Sequence, residues 1–539
     1  MTLAAPPIDA VPKPAIRTPT LVGVLPVVPA VVGAVVAAPY LPASLWRDEA
    51  ATVSAAHRTL PQLVHLLGHD DPALALYYLV MHVWVAIAGT GEIALRLPSF
   101  AAAIAAVLVI GALARRIAGP WAGVAASVLL TVSPGFFTLY AVDARPYALV
   151  VLCVTASAYV AHRLGAAGAE MPPRSRTLLL AAWSVLAAAT IGLEVLAAPA
   201  VLPQVVWLFG VGRRRTGSRV SRTSVTVALI LPVLTGLAGL YMAQRGSELQ
   251  SWVLPVSKRQ VLSSLVGLAT PMGLALVVLA IPGLLLARRL VEDDARRRGV
   301  VAAIVALAWA LLPPLALLVY SKVFAPSYVP RYYLSAVPGA VLLVALVFAG
   351  SLRGVLEARL VGLSAGLRRA GAALLAIAAV VAVVYPVTHS AYAANPDAED
   401  LRGTAAWIES HASADDGIVY SPTYAEAGVR WYLGDSAPKG PPNLQAQPAT
   451  SAIAAGSLWT PTTSTTDAAT VLRGVQRVFV VGYAGKQRWV PVPDVGTPVA
   501  AEIEQCWTRV AGRTSGPDAS GIRATLWERP ASRKPGCSI

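Results

Sequence analysis

Residues 21–49 read LVGVLPVVPAVVGAVVAAPYLPASLWRDE. An uncharged apolar run long enough to cross a bilayer ends abruptly in Trp46, Arg47, Asp48 and Glu49. Lys13 and Arg17 precede the run, so the positive-inside rule places residues 1–20 in the cytoplasm and carries the chain outward through this span. A cleaved signal peptide is the competing reading, but the run is too long and proline-rich for a typical signal core. The acidic pair therefore stands at the outer membrane surface.

The rest of the chain repeats this grammar. Of 539 residues only 13% are charged and 56% are apolar, with 43 Lys+Arg against 28 Asp+Glu for a formal charge of +15. The mean hydropathy is +0.63. Soluble domains carry about twice that charge density, so a soluble globular or disordered chain is excluded. Nucleic-acid binding is a poor reading, because the basic excess sits in short arginine clusters between apolar runs. Further uncharged runs are Leu97–Ala114, Ile117–Val142, Pro146–Ala161, Thr223–Gln244, Gln260–Ala287, Gly299–Ser321, Tyr332–Leu352 and Ala370–Thr388. Thr177–Gly212 contains one charge, Glu194, and is long enough for a two-helix hairpin turning near it.

Arginine clusters at 115–116, 163–176, 213–222, 288–298 and 353–369 fall at every second connection. Assigning them to the cytoplasm gives about eleven transmembrane helices in a multi-pass plasma-membrane protein. Pro72–Gly89 carries no acid, lysine or arginine, yet a crossing there would put Arg115 and Arg116 outside. It reads as a helix lying at or dipping into the outer interface, anchored by Trp84, Tyr77 and Tyr78. The fold class is thus a polytopic α-helical membrane domain, 21–388, with a first outer loop at 46–96. Residues 389–539 change composition and read as an extracytoplasmic α/β domain. Leu401–His411 has helical spacing, and short β-rich pieces occur at Gly417–Tyr420, Arg477–Tyr483 and Arg523–Trp527. Pro438–Thr450 and Thr460–Thr466 read as loops. Cys506 and Cys537 both lie in this domain; a disulfide and two separate thiols are both open readings.

The outer loops hold a concentrated set of ionisable groups: Arg47-Asp48-Glu49, His69-Asp70-Asp71, Asp143-Ala144-Arg145, Lys322 and Arg331. Such groups at a bilayer surface are costly and often functional. Each also has a structural reading. Asp48-Glu49 suits a helix N-terminus, His69-Asp70-Asp71 suits capping of the next helix, and Arg331 suits an interfacial anchor. Glu194 is either a turn residue or a cavity group. Trp407, Trp431, Tyr432 and Trp459 suit sugar stacking or an ordinary core. P-loop, HExxH and dinucleotide-binding patterns are missing from the sequence.

In order and spacing these motifs resemble the GT-C glycosyltransferases that use polyprenyl-phosphate sugars. The nearest branch holds bacterial protein O-mannosyltransferases, lipid A aminoarabinose transferases and mycobacterial envelope glycosyltransferases. The resemblance rests on Leu45-Trp46-Arg47-Asp48-Glu49, Asp71-Pro72 before Leu76-Tyr77-Tyr78-Leu79, and Ala94-Leu95-Arg96-Leu97-Pro98-Ser99. It continues through Asp143-Ala144-Arg145-Pro146-Tyr147, Pro330-Arg331-Tyr332-Tyr333 and Glu399-Asp400-Leu401-Arg402-Gly403. It implies a transfer of mannose from a polyprenyl-phosphate donor to an envelope glycolipid or lipoglycan, by single displacement with inversion. Arabinofuranosyl transfer and protein O-mannosylation are alternatives within the fold, and a lipid-linked sugar transporter is one outside it. The resemblance implies Asp48 as general base and Arg331, with Arg145, on the leaving phosphate. Asp143 would orient Arg145 or bind sugar hydroxyls. Glu49 and His69 would line the acceptor side, and Asp71, Tyr147 and Tyr332 complete the substrate-binding set. Neither nucleotide nor metal is required, although a divalent cation is compatible with this set.

Overall fold

The computed structural model describes residues 25–133, 136–167, 171–209, 221–245, 257, 294–324, 326–346, 399–434, 440–447, 450–462, 467–483, 496–515, 521–532 and 537. The expected spans Gln260–Ala287 and Ala370–Thr388 lie outside them, as do residues 1–24 and the clusters 213–219 and 353–369.

Among the described residues, five helices are long and apolar enough to cross a membrane. They belong to α5 (Glu92–Ala118), α7 (Tyr147–Ala167), α8 (Pro173–Leu193), α9 (Arg222–Arg245) and α10 (Asp294–Val323). The first apolar run is less regular than its composition suggests. Helix α1 covers only Val27–Ala37 and passes into a 3-10 turn at Ala38–Tyr40, where Pro39 enters. Likewise Ile117–Val142 is not one helix: Gly119, at φ 93°, ends α5, and α6 occupies Pro120–Thr131. Glycine without a Cβ takes that left-handed turn at little steric cost. The hairpin expected around Glu194 is present. Helix α8 stops at Leu193, and the chain returns through short helical turns between Val195 and Leu208.

Three short helices fill the first outer loop: α2 (Arg47–Ala56), α3 (Leu60–His69) and α4 (Ala75–Ala88). At 14 residues α4 is roughly 21 Å long, short of a bilayer's roughly 30 Å apolar core. Its Tyr77, Tyr78 and Met81 are buried, while Val83 and Ile87 stay exposed.

Small residues bring the membrane helices together. A Cβ on Gly111 of α5 would come within 2.3 Å of Ser127 Oγ on α6, and one on Gly123 within 2.8 Å of the Gly111 carbonyl. Close backbone approach of this kind replaces the hydrophobic drive that lipid does not provide. The core around them is largely alanine, valine and leucine from α5, α6, α7, α8 and α10, with Trp183, Trp207 and Trp309 as its largest members.

The C-terminal unit is a four-stranded sheet, ordered β1-β2-β4-β3, with β1 (Gly417–Ser421) parallel to β2 (Arg477–Tyr483). Strands β3 (Thr508–Thr514) and β4 (Ile522–Glu528) join antiparallel. Helices α11 (Leu401–His411), α12 (Ala425–Leu433) and α13 (Gly496–Cys506) pack on it. Strand β3 escapes a pattern-based reading because it is a bulged, largely exposed edge with Arg509 and Arg513 in its sequence. Charges on an edge discourage pairing with other chains but erase the apolar alternation that marks a strand. Cys506 and Cys537 form a disulfide.

Gly339 lies against α10, where a Cβ would meet Ala310 N at 2.7 Å and the Trp309 ring at 2.8 Å. That approach lets the Trp309 indole N–H donate to Ser335 O at 2.8 Å, fixing the turn that carries Arg331. Gly339→Val is expected to cost about 1–3 kcal/mol by overpacking. A lowered melting temperature of the detergent-solubilised protein would register it.

Candidate active site

Asp48 and Glu49 are the second and third residues of α2, where negative charge meets the helix dipole favourably. Consecutive helical residues point about 100° apart, and the two carboxylates accordingly go to different places. Glu49 is fully buried. Its Oε1 accepts from Arg96 Nε at 2.7 Å and from the Ala144 backbone N–H at 2.8 Å, and its Oε2 accepts from the Trp46 N–H at 3.3 Å. Arg96, itself 3% exposed, donates onward to the carbonyls of Leu41, Ala43 and Ser44 at 2.8, 2.7 and 3.0 Å. Glu49 therefore does not face an acceptor: Arg96 and two backbone donors occupy it inside the protein.

Asp48 points the other way. Its side chain is 21% exposed, with Oδ2 3.5 Å from Arg331 Nη1 and 4.0 Å from Arg145 Nε. Arg145 is placed by a tight turn, its N–H donating to Asp143 O at 2.8 Å, and by Ser99 Oγ donating to its carbonyl at 3.0 Å. Arg331 comes from the 3-10 turn Pro330–Ala336 and lies 5.6 Å from the Tyr332 ring centroid. Burial alone would raise the Asp48 pKa, but Arg145, Arg331 and Arg47 together hold it below the ordinary aspartate value. Asp143, with Oδ1 accepting from the Trp46 indole at 3.0 Å, behaves oppositely. Burial and the neighbouring Glu49 push it up to about 8. Burial and the surrounding charges thereby drive the protonation of Asp48 and Asp143 apart.

Asp71 closes another side. It holds a left-handed conformation at φ 44°, rare without glycine, and accepts from Tyr78 OH at 2.6 Å. Burial raises its pKa while Arg145 opposes that shift. Glu194 caps the turn after α8 by accepting from Leu196 N at 3.2 Å, and burial pushes it up to about 7 against the pull of Arg145 and Arg331. It is thus both a turn residue and a group within the field of the site. Tyr147 is buried, 5.4 Å edge-on to Tyr140. His69 stands apart from this set. It is exposed, its ring lies tilted 4.5 Å from that of His65, and its Nδ1 bonds His65 O at 2.8 Å. Neighbouring Asp70 is the buried one, its Oδ2 accepting from Leu458 N at 3.0 Å.

Residues 70–237 match the family model described as dolichyl-phosphate-mannose-protein mannosyltransferase. In three dimensions the chain is similar to ArnT from Cupriavidus metallidurans bound to undecaprenyl phosphate. The TM-score is 0.53 at 15% identity, over 94% of this chain and 98% of that one. Against the apo form of ArnT the TM-score is 0.50 at 13% identity, with the same coverage. The chain has the GT-C fold. AglB from Archaeoglobus fulgidus follows at a TM-score of 0.42 and 11% identity, over 90% of this chain and 73% of that one. No curated protein matches the chain.

On this GT-C framework, Asp48, Asp71, Asp143, Arg145, Tyr147, Arg331 and Tyr332 share one neighbourhood, linked by the ion pairs at Asp48 and the electrostatic influence of Arg145 and Arg331. The combination offers an ionised carboxylate beside two guanidinium groups suited to an anionic ligand such as phosphate. Among the described residues the one close group of three metal-ligand side chains is Glu502, Cys506 and Cys537, and its two cysteines are consumed by the disulfide. Arg96 carries a role that sequence reading left unassigned. The available signal is a lone arginine at the head of an apolar helix, which demands a buried acid as partner.

Removing the acid from this pair should be severe. Glu49→Ala leaves Arg96 uncompensated and is expected to destabilise by about 3–5 kcal/mol. Loss of a monodisperse, cooperatively melting protein in detergent is the readout, and Asp48→Ala should keep normal melting.

Proposed function

We propose that the protein is a membrane glycosyltransferase that moves mannose from a polyprenyl-phosphate donor to a hydroxyl of an extracytoplasmic envelope glycolipid or lipoglycan. The supporting observation is the convergence of Arg145 and Arg331 on the Asp48 carboxylate, at 4.0 and 3.5 Å. Asp48 takes the proton as the acceptor oxygen attacks the anomeric carbon. Inversion follows from a single displacement, and the departing polyprenyl phosphate is received by the two arginines. The protonated form favoured at Asp143 suits a hydrogen-bond donor to sugar or phosphate oxygen.

Mannose is favoured by the description of the family that residues 70–237 match. The outward orientation is favoured by α5, which carries Arg96 near its first turn and Arg115 and Arg116 in its last. Over 27 residues it spans roughly 40 Å, so the site and the basic pair occupy opposite membrane faces, and the positive-inside rule assigns the basic face to the cytoplasm. In this reading the transmembrane domain ends near residue 388, and the sheet domain covers the extracytoplasmic side.

The decisive experiment supplies purified protein with polyprenyl-phosphomannose and a mixed envelope-glycan acceptor, and measures released polyprenyl phosphate. Release that disappears in Asp48→Asn supports the reading. Turnover only with polyprenyl-phosphoarabinose would replace the sugar, and full activity of Asp48→Asn would remove the base. Arg331→Ala is expected to raise the donor KM by roughly tenfold or more, as for loss of one charge-assisted contact.

The pH profile carries a second expectation. Because Asp48 is depressed, the base stays ionised at neutral pH and is lost only as pH falls through a value below that of ordinary aspartate. That limb belongs to kcat/KM, which reports the free enzyme. Donor phosphate shares the arginines and weakens their hold on Asp48, so the acidic limb of kcat should lie at higher pH. Coincident limbs would show that donor binding leaves the base unchanged.

A further inference from the structure

The helix that carries Asp48 is poorly equipped to start itself. Its N-cap is Trp46, whose indole can only donate and is already committed to Asp143. The first-turn N–H groups of a helix need acceptors, ordinarily from a Ser, Thr, Asp or Asn at the cap. Here the Arg47 N–H is taken by Glu399 Oε2 at 2.9 Å, from a residue 352 positions away in the chain. Glu399 is 5% exposed. Tyr483 OH of β2 donates to the same Oε2 at 3.4 Å, and Oε1 lies 3.4 Å from Arg47 Nε. The Arg47 guanidinium lies over the Tyr483 and Tyr424 rings at 5.3 and 6.0 Å.

The same domain grips the segment before α2. Arg402 donates from its backbone N–H to Ser44 Oγ at 3.0 Å and from Nη2 to Pro42 O at 2.8 Å, and Tyr432 OH accepts from Leu45 N at 3.0 Å. Ala50, one turn into α2, is a member of the core beneath β1, β2 and β4. Farther along, Ser54 Oγ donates to Leu458 O at 3.4 Å, and Arg58 donates to Ser457 O. Helix α2 is thus shared by both parts of the protein.

We propose that Glu399, at the entrance to the C-terminal domain, is the positioning residue that caps α2 and holds Asp48 toward Arg145 and Arg331. The inference rests on the transferase reading above and extends it, because it makes the sheet domain part of the catalytic arrangement. Glu399 touches no reacting atom; it acts through the Arg47 backbone. The cap also places a negative charge where the α2 dipole favours one.

Three variants of the full-length protein test this: Glu399→Ala, Glu399→Gln and, as a control within the same domain, Arg523→Ala, which breaks an exposed pair with Glu504. Glu399→Ala should lower kcat on the order of 10- to 100-fold, as small misplacements of a catalytic group do. Its donor KM should stay within about threefold. Glu399→Gln keeps an oxygen that accepts the Arg47 N–H and should recover most of kcat, while Arg523→Ala should match wild type. Hydrogen exchange should rise at residues 47–50 in Glu399→Ala and stay unchanged in β2 and β4. An unaltered kcat in Glu399→Ala, a kcat loss matched by an equal rise in donor KM, or Glu399→Gln as inactive as Glu399→Ala in folded protein would each overturn the proposal. If wild type releases no polyprenyl phosphate, the transferase reading fails, and exchange at residues 47–50 still decides whether Glu399 caps α2.

Discussion

Glu49 and Arg96 form a buried ion pair on which the geometry of the site depends. Their desolvation is large, and only complete hydrogen bonding offsets it. The pair achieves this by recruiting backbone: Arg96 collects four carbonyls of the segment leaving α1, and Glu49 collects the N–H groups of Trp46 and Ala144. Three chain segments far apart in sequence are therefore referenced to one carboxylate. Asp48 is adjacent to Glu49, and Arg145 is adjacent to Ala144. The distance between the proposed base and its cationic partner is set by two peptide links and a buried charge.

Around Asp48 the electrostatics are unbalanced by design of the backbone. Two guanidinium groups face one ionised carboxylate, while Asp143 is pushed toward its neutral form and Glu194 is raised to about 7. Excess positive potential in a partly buried site favours an anion, and a phosphate diester or monoester supplies the missing charge. In the proposed reaction the same arginines would serve two stages. Before the donor arrives they hold the Asp48 pKa down; with the donor present they would hold the group that departs.

The sheet domain is not an appendage. Through Glu399, Arg402, Tyr432 and the 457–458 turn it contacts both ends of α2 and the segment before it. Trp431, Tyr432 and Trp459 pack against the core of the first outer loop, and Trp407 packs in the domain's own core. Trp431, Tyr432 and Trp459 thereby tie the sheet domain to the first outer loop.

Apolar runs and a one-sided charge pattern made the membrane class, Leu401–His411, three of the four strands of the sheet and the hairpin at Glu194 readable without coordinates, because periodicity and lipid solubility are local properties. The cluster of Asp48, Asp143, Arg145 and Arg331 was legible as a set of outer-loop charges. Three things were not. The end of α1 at Ala37 and the break at Gly119 depend on how proline and glycine are used within runs of uniform hydropathy. The edge strand β3 hides its pattern behind arginines. Composition and spacing do not separate Glu49 from Asp48, both acids at the start of one helix; the resemblance put the base at Asp48 but turned Glu49 toward an acceptor rather than toward Arg96. Sequence therefore determined which solvent each segment prefers and which charges exist. Tertiary structure alone decided which carboxylate is spent inside on Arg96 and which is left facing arginines, because a rotation of about 100° per residue acquires meaning only when the surrounding chain is in place.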